Sequence, residues 1–190
     1  MENKRICAWV NHEQLYIDYH NNEWGRPVYD DQKLFEFLIL DTFQAGLSWI
    51  TILKKRENFR KAFDDFDASK IAEYGEEKVE ELMQNAGIIR NRLKINAAIS
   101  NAKLYLDIAK NEGGFSKYIW SFVGGSPIVN HYQYEDIPAT SAESDAMSKA
   151  LKKRGFKFVG STICYAFMQA AGLINDHSID CYLHPDQQLA

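Results

Sequence analysis

Four residues near the two ends of the chain are of the types that bind zinc. His177 and Cys181 stand four positions apart, and on a helix or a tight turn this spacing aims an imidazole and a thiolate at one point. Cys7 and His20 supply a second pair of the same kind. Two Cys and two His complete a closed tetrahedral set with no open position for a substrate water, so the pattern predicts a structural Zn²⁺ ion.

The same residues also fit a simpler interpretation. Cys7 could be a small buried apolar residue and the histidines surface residues, and the irregular spacing is not that of a zinc finger. His12, His131 and His184 have no matching partner, and Cys164 lies in an apolar stretch typical of a core. Spacing alone therefore leaves zinc as one of two hypotheses.

Aromatic residues are unusually dense in the first fifty positions, where Trp9, Tyr16, Tyr19, Trp24 and Trp49 occur. Aromatic faces stack on any nucleobase, and they attract a cationic base more strongly through the ring quadrupole. An ordinary aromatic core would use the same residues. The cluster thus indicates either a slot for a planar base or a core.

One carboxylate, Asp41, falls on the apolar stripe that Leu34, Phe37 and Leu38 form on a predicted helix. Burying a carboxylate is costly unless a specific group accepts or neutralises it, so we predict that Asp41 hydrogen-bonds a ligand. A local role is the alternative, because Asp41 followed by Gln44 also fits a helix N-cap with a capping-box partner.

Residues 82–94 predict a helix, a turn at Gly87 and the start of a second helix. Free backbone N–H groups at the start of that second helix suit a phosphate, and Arg90, Arg92 and Lys94 add positive charge nearby. This segment is a candidate phosphate clamp. Solvated helix faces carry the same charges in many proteins.

The elements that must position these residues are helical. Hydrophobic spacing follows the helical period almost throughout, and no stretch alternates long enough to predict a sheet, so we expect an all-α fold. In the first half of the chain we predict a helix that starts at Asp30 or Asp31, a helix through Trp49, and a helix capped by Asp67. A helix over 76–86 should end at a left-handed Gly87, and a long helix should follow it and stop near Gly113. A capping box of Thr140 and Glu143 should open a helix that runs to Gly155, and one buried helix is predicted over 161–174.

Composition limits the class of protein. With 190 residues, 46% of them hydrophobic and 25% charged, the chain matches one globular domain over residues 1–190. We expect a cytoplasmic protein, because no segment resembles a signal peptide or a membrane span. The net charge of −4 gives no general attraction to nucleic acid, so DNA binding would depend on local patches.

Six stretches together resemble one family of DNA repair enzymes. They are CAWV, LYIDYHNNEWG, FQAGLSWITILKKREN, NAGIIRNRLKI, KALKKRGFKFVGSTICYAFMQAAGL and NDHSIDC, and they run nearly from end to end of the chain. The chain is similar along them to DNA-3-methyladenine glycosylase I. The resemblance implies an all-α helix-hairpin-helix glycosylase fold and an enzyme that acts on alkylated double-stranded DNA. We expect a monomer.

The resemblance also implies roles for individual residues. The implied zinc ligands are Cys7, His20, His177 and Cys181; the implied base pocket is Trp9, Tyr16, Tyr19, Trp24 and Trp49; and the implied DNA contacts are Gln44, Gly46, Leu47, Gly87, Arg90 and Arg92. Leu47 would be the wedge that fills the duplex where the base has left.

Two positions depart from the family pattern. Asp41 stands where the family has a glutamate that hydrogen-bonds the alkylated adenine, and Ala166 stands where it has a pocket serine. Aspartate is one methylene shorter, so the contact would be lost, bridged by water or recovered by a helix shift. Both changes bear on base selectivity.

The expected reaction is hydrolysis of the N-glycosidic bond of 3-methyladenine, which leaves an abasic site. The methylated base is cationic and leaves readily, so the enzyme mainly selects, orients and isolates it. No pocket lysine indicates a Schiff base, and lyase activity is not expected. The alternatives are a glycosylase for a different alkylated purine, a non-catalytic binder of alkylated DNA and a zinc-stapled interaction module.

Overall fold

The computed structural model describes residues 5–188, so residues 1–4 and 189–190 of the predicted domain lie outside the described residues. Helices account for 61% of the structure, which confirms a mostly helical protein. They are α1 (Gln14–Asn22), α2 (Asp31–Gln44), α3 (Trp49–Ala62), α4 (Ala68–Ala72), α5 (Glu76–Gln84), α6 (Arg92–Asn111), α7 (Phe115–Trp120), α8 (Ala142–Arg154), α9 (Ser161–Ala170) and α10 (Pro185–Gln188). Within the described range, no helix combines the length and the apolar character that crossing a membrane requires.

Two short strands supplement the helices. Strand β1 (Ile128–Val129) pairs in parallel with β2 (Ile174–Asn175), and Ile128 lies opposite Ile174. With only two residues each, these strands are too short to leave an alternating pattern in the sequence.

Helix α2 lies at the centre of the core. Every residue from Leu34 to Phe43 is buried, and α3, α6, α7 and α9 pack around it. The predicted one-sided stripe is therefore wrong in its width, since this helix is covered on all sides. No face of α2 at the position of Asp41 is therefore exposed to solvent.

Local capping signals give correct helix starts in two places. The Asp30 side chain accepts a hydrogen bond from the Lys33 N–H at 2.8 Å, and Asp67 accepts from the N–H groups of Ser69 and Lys70. The capping box of α8 is displaced by one residue from the predicted pair, because Ser141 and Ser144 make its two reciprocal hydrogen bonds.

The N-cap interpretation of Asp41 is wrong. Asp41 lies inside α2, and Ser48 occupies the N-cap position of α3. The predicted end of α5 is also wrong, because the helix stops at Gln84 and the φ of Gly87 is not positive. A Cβ on Gly87 would lie 2.9 Å from Oδ1 of Asn85 and 3.2 Å from the Cβ of Asn58, so both the local turn and close packing on α3 favour glycine there.

The predicted buried helix over 161–174 is too long. Helix α9 ends at Ala170, and Gly172 then turns the chain with a φ of +69° so that Ile174 enters β2. A Cβ on Gly172 would lie 2.2 Å from the carbonyl carbon of Arg26. The N-terminal segment runs against this end of α9, where the Gly25 N–H donates to the Gln169 carbonyl at 3.0 Å.

Candidate functional site

A cavity of about 490 Å³ opens between the N-terminal segment, α2, α3 and α9. This volume lies in the range of roughly 300–1,000 Å³ that small-molecule sites occupy. Its lining residues are Trp9, Tyr16, Tyr19, Trp24, Asp41, Gln44, Trp49, Tyr134, Glu135, Ile137, Ala166, Gln169 and Ala170. We call it the aromatic cavity.

All five predicted base-pocket rings line this cavity. The Trp9 ring centroid lies 4.9 Å from that of Tyr16 and 5.0 Å from that of Trp24, in edge-on arrangements. The centroids of Tyr19 and Trp49 are 5.5 Å apart. Because the rings surround a space instead of filling it, they form the walls of a site for a flat ligand.

Three buried polar atoms in the lining have no hydrogen-bond partner within the described residues. They are Oδ2 of Asp41 and the indole Nε1 atoms of Trp9 and Trp49. Buried polar atoms in folded proteins are almost always paired. Their concentration in one cavity indicates a ligand that supplies the missing partners.

The electrostatics of the cavity favour a cation. Asp41 is 2% exposed, and burial raises its pKa well above the ordinary value. Glu135 adds a second carboxyl group, and the lining residues given above include no Lys, Arg or His. A cationic ring would satisfy Asp41 and interact favourably with the aromatic walls.

The sequence interpretation missed part of the lining. Tyr134, Glu135 and Ile137 come from an irregular segment around a short 3-10 helix, which carries no recognisable motif. Gln169 and Ala170 could have been predicted from the sequence, because they lie three and four positions after Ala166 on the same face of α9.

Three of the four predicted metal ligands come together beside the cavity. One ligating atom from each of Cys7, His20 and Cys181 lies within 4.8 Å of the others. Sγ of Cys181 is 3.5 Å from Nε2 of His20. His177 stands outside this trio, with its ring centroid 5.0 Å from that of His20. We call these four residues the Cys/His cluster.

The chemistry of the donors fits a divalent metal. Nδ1 of His177 donates to Oδ1 of Asn175 at 2.9 Å, and its buried Nε2 has no partner among the described residues. Burial, followed by repulsion from His20, lowers the pKa of His177 to about 3, so its ring is neutral. Nδ1 of His20 donates to Asn21, which directs its Nε2 towards Cys181.

The Cys/His cluster packs directly behind the cavity wall. The ring centroids of Trp24 and His177 are 4.8 Å apart, and those of Trp9 and His20 are 5.5 Å apart. The positions of two wall residues therefore depend on the geometry of the cluster.

Other cysteine and histidine side chains are engaged differently. Cys164 is buried, and its thiol donates to the Val159 carbonyl, as a core residue would. His131 contacts Asp186, and His184 uses both ring nitrogens in hydrogen bonds to backbone groups of Asn130 and Asp186. His184 therefore has no lone pair free for a metal.

The candidate phosphate clamp is only partly as predicted. Arg90 is exposed and makes no ion pair within residues 5–188, whereas Arg92 pairs with Glu76 and Glu80. The inclusion of Lys94 is wrong: it is 6% exposed, and its Nζ donates to the carbonyls of Phe43 and Ala45 at 2.7 Å each.

Lys94 thereby connects α6 to the loop that follows α2. In this loop Gly46 has a φ of +81°, and the Gln44 amide donates to the Leu47 carbonyl at 2.8 Å. The Leu47 side chain is 38% exposed although it is apolar. Loop residues 44–47 thus present a leucine at the protein surface close to Gln44, which lines the cavity.

Fold and cavity together define a helical protein with a cavity whose aromatic walls and buried carboxyl group suit a flat, cationic ligand. The family model for methyladenine glycosylase matches residues 9–184. DNA-3-methyladenine glycosylase 1 of Escherichia coli K12 is 56% identical over 94% of this chain and 96% of its own length.

Solved structures agree with these sequence matches. A crystal structure of 3-methyladenine DNA glycosylase I superimposes with a TM-score of 0.93 at 55% identity, covering 95% of this chain and 100% of the other. A variant of such an enzyme in complex with 3-methyladenine gives a TM-score of 0.91 at 38% identity, covering 94% and 97%. The chain belongs to the methyladenine glycosylase family, which confirms the resemblance found in the sequence.

Proposed function

We infer that this protein is a DNA-3-methyladenine glycosylase, which hydrolyses the N-glycosidic bond of the alkylated base and leaves an abasic site. The observation that carries this conclusion is the unpartnered Oδ2 of Asp41 inside an aromatic cavity. Family membership supplies the reaction, and the cavity supplies the groups that would select its substrate.

The cavity residues divide the work of recognition. A base extruded from the duplex enters between the rings, and its positive charge stabilises the ionised form of Asp41. Oδ2 of Asp41 then accepts a hydrogen bond from the exocyclic amine. No lysine occurs among the lining residues, which supports attack by water on the sugar instead of a Schiff base.

We propose that the Cys/His cluster holds one structural Zn²⁺ ion through Cys7, His20, His177 and Cys181. Two thiolates and two neutral imidazoles are a preferred donor set of tetrahedral zinc, and the unpartnered Nε2 of His177 supports its inclusion. Bound zinc would supply no chemistry to the reaction. It would fix the segment from Trp9 to Trp24 against the C-terminal part of the chain.

We propose a DNA-binding face formed by the α5–α6 hairpin and the 44–47 loop. The helix, turn and helix over residues 76–111 support a helix-hairpin-helix motif, with contacts at Gly87, Arg90 and Arg92. The exposed Leu47 would be the wedge, supported by Gln44 and Gly46. Alkylated duplex DNA is the proposed partner, and a single domain, a monomeric state and a cytoplasmic location stay predictions.

A second candidate substrate is a different alkylated purine. Asp41 and Ala166 both line the cavity and are smaller than the glutamate and serine of the family pattern, which leaves additional room. A panel of alkylated duplexes that contain 3-methyladenine, 3-methylguanine or 7-methylguanine separates the two substrates.

Chromatographic analysis of bases released from methylated DNA tests the proposed activity. We expect free 3-methyladenine from the native protein, loss of more than about 90% of the rate in Asp41→Asn, and no loss in Asp18→Asn, a matched change at an exposed position of α1. Tight binding to the methylated duplex without release of any base would instead establish a non-catalytic binder. Full activity of Asp41→Asn would remove Asp41 from the site.

A further inference from the structure

A second buried carboxylate, Asp176, lies behind the aromatic cavity. It is 1% exposed and accepts three side-chain hydrogen bonds. The donors are the Asn130 amide to Oδ1 at 2.8 Å, and the Tyr165 hydroxyl and the Gln169 amide to Oδ2 at 2.6 and 2.8 Å. Each of these partners donates its hydrogen bond to Asp176, and Asp176 only accepts.

This network fixes the orientation of the Gln169 side chain. A primary amide has a donor end and an acceptor end, and only the donor end can face a carboxylate. With Nε2 held by Asp176, Oε1 points away from that carboxylate. Gln169 lines the aromatic cavity on the same helix as Ala166 and Ala170.

We propose that Gln169 is a base-recognition residue whose Oε1 accepts a hydrogen bond from an exocyclic amine, and that Asp176 is the positioning residue that holds it in this orientation. Helices α2 and α9 pack together, so Asp41 and Gln169 face the cavity from adjacent elements. An amine has two N–H groups, and these two acceptors match them.

The ligand class that this arrangement selects is a 6-aminopurine over a 6-oxopurine. An oxo group placed against Asp41 and Gln169 would leave its own oxygen and both protein acceptors without a hydrogen-bond donor. Sites built to hydrogen-bond an amine reject such analogues strongly. This inference rests on the proposed function and names the part of the base that the cavity distinguishes.

The test compares binding of 3-methyladenine and 3-methylhypoxanthine, in which an oxo group replaces the amine, by calorimetry. In Gln169→Met, which keeps the side-chain length but removes the acceptor, we expect about a tenfold loss of 3-methyladenine affinity and a smaller change for the oxo analogue. Asp176→Asn should also lower the preference for the amine, because the side-chain amide of Gln169 can then rotate so that its NH₂ group and its oxygen exchange positions.

Tyr165→Phe is the matched control. It removes another donor from the same oxygen of Asp176 but leaves Gln169 in place, so the preference for the amine should persist. An unchanged preference in Gln169→Met would overturn the proposal, and so would an equal loss in Tyr165→Phe. If Asp176→Asn does not fold, Gln169→Met and Tyr165→Phe decide the question. Failure of the native protein to release 3-methyladenine would count against the proposed function instead.

Discussion

At the scale of single residues, Asp41 is the residue most closely tied to the proposed function, because its environment in the free protein disfavours its charge. It lies inside the most buried helix of the protein, with one oxygen unpartnered among the described residues and no basic side chain in the cavity lining. A residue kept under such conditions lowers the stability of the free protein and strengthens the binding of a cation. The loss of folding stability that Asp41 causes should therefore be measurable without any substrate.

The change Asp41→Asn should stabilise the protein at neutral pH. Burial raises the pKa of Asp41 in the folded state above the ordinary value of 3.8, so the folded protein holds this proton more tightly than the unfolded chain does. Below that value the side chain is neutral in both states; above it the unfolded chain loses the proton first, so the free energy of unfolding falls until the pH has risen through the raised pKa. Urea unfolding of both proteins between pH 4 and pH 8 measures this.

The expected result is a gain in the free energy of unfolding that increases with pH. A difference between the two proteins that is the same at pH 4 and at pH 8 would contradict the unfavourable burial of this charge. Comparison of the two proteins at each pH cancels the contribution of every other titrating group, including the Cys/His cluster.

At the scale of elements, long-range contacts decide where helices end and how loops are held. Asp30 and Asp67 were predictable as caps because each acts within its own next turn. Gly172 was not predictable, since the chain there is shaped by Arg26, which is distant in sequence, and Gly87 is constrained both by its neighbour Asn85 and by the distant Asn58. The cavity divides in the same way: its aromatic residues are dense in the sequence, whereas Glu135 is recognisable only after folding.

Gly172→Ala should destabilise the protein by about 3 kcal/mol or more, because a Cβ would lie 2.2 Å from the carbonyl carbon of Arg26. Gly125→Ala is the matched control: its φ of +84° imposes a similar backbone strain, but no atom lies within 4 Å of the added Cβ. Its cost should be about 1–2 kcal/mol. Thermal unfolding compares the two, and equal costs would exclude close approach as the reason for Gly172.

Lys94→Met should weaken the action on DNA more than the binding of free base. The change removes the donors that hold the Phe43 and Ala45 carbonyls, so the 44–47 loop loses its anchor on α6 while the aromatic walls of the cavity stay in place. We expect a loss of stability of about 1–3 kcal/mol and at least a tenfold lower rate of release from DNA.

Lys103→Met, at an exposed position of the same helix, is the control and should leave both properties unchanged. Rates of base release and affinities for free 3-methyladenine are the two measurements. Equal losses in both would show that Lys94 supports the whole fold and has no particular effect on the loop.

At the scale of the whole molecule, the N-terminal and C-terminal segments of the described chain meet at the Cys/His cluster behind the aromatic cavity. The irregular sequence spacing of these residues made the site unconvincing by itself, because no local pattern predicts that residues 7 and 181 become neighbours. Because folding brings these distant residues together, we propose that the cluster holds Trp9 and Trp24 in place.

Removal of metal should lower the melting temperature and weaken base binding together. We expect one zinc per chain in the native protein and loss of both properties after treatment with a chelator. Cys181→Ser should reproduce the loss of zinc, whereas Cys164→Ala should retain it, since that thiol lies in the core. Metal-free protein with an unchanged melting temperature would contradict the structural role.

Titration of the protein with free 3-methyladenine tests whether the aromatic cavity binds the alkylated base. Three of the four tryptophans, Trp9, Trp24 and Trp49, line the cavity, so their fluorescence reports on its occupancy. We predict a saturable fluorescence change in the native protein and at least tenfold weaker binding in Asp41→Asn. If the fluorescence of the native protein shows no saturable change with 3-methyladenine, the aromatic cavity is not the site that binds the alkylated base.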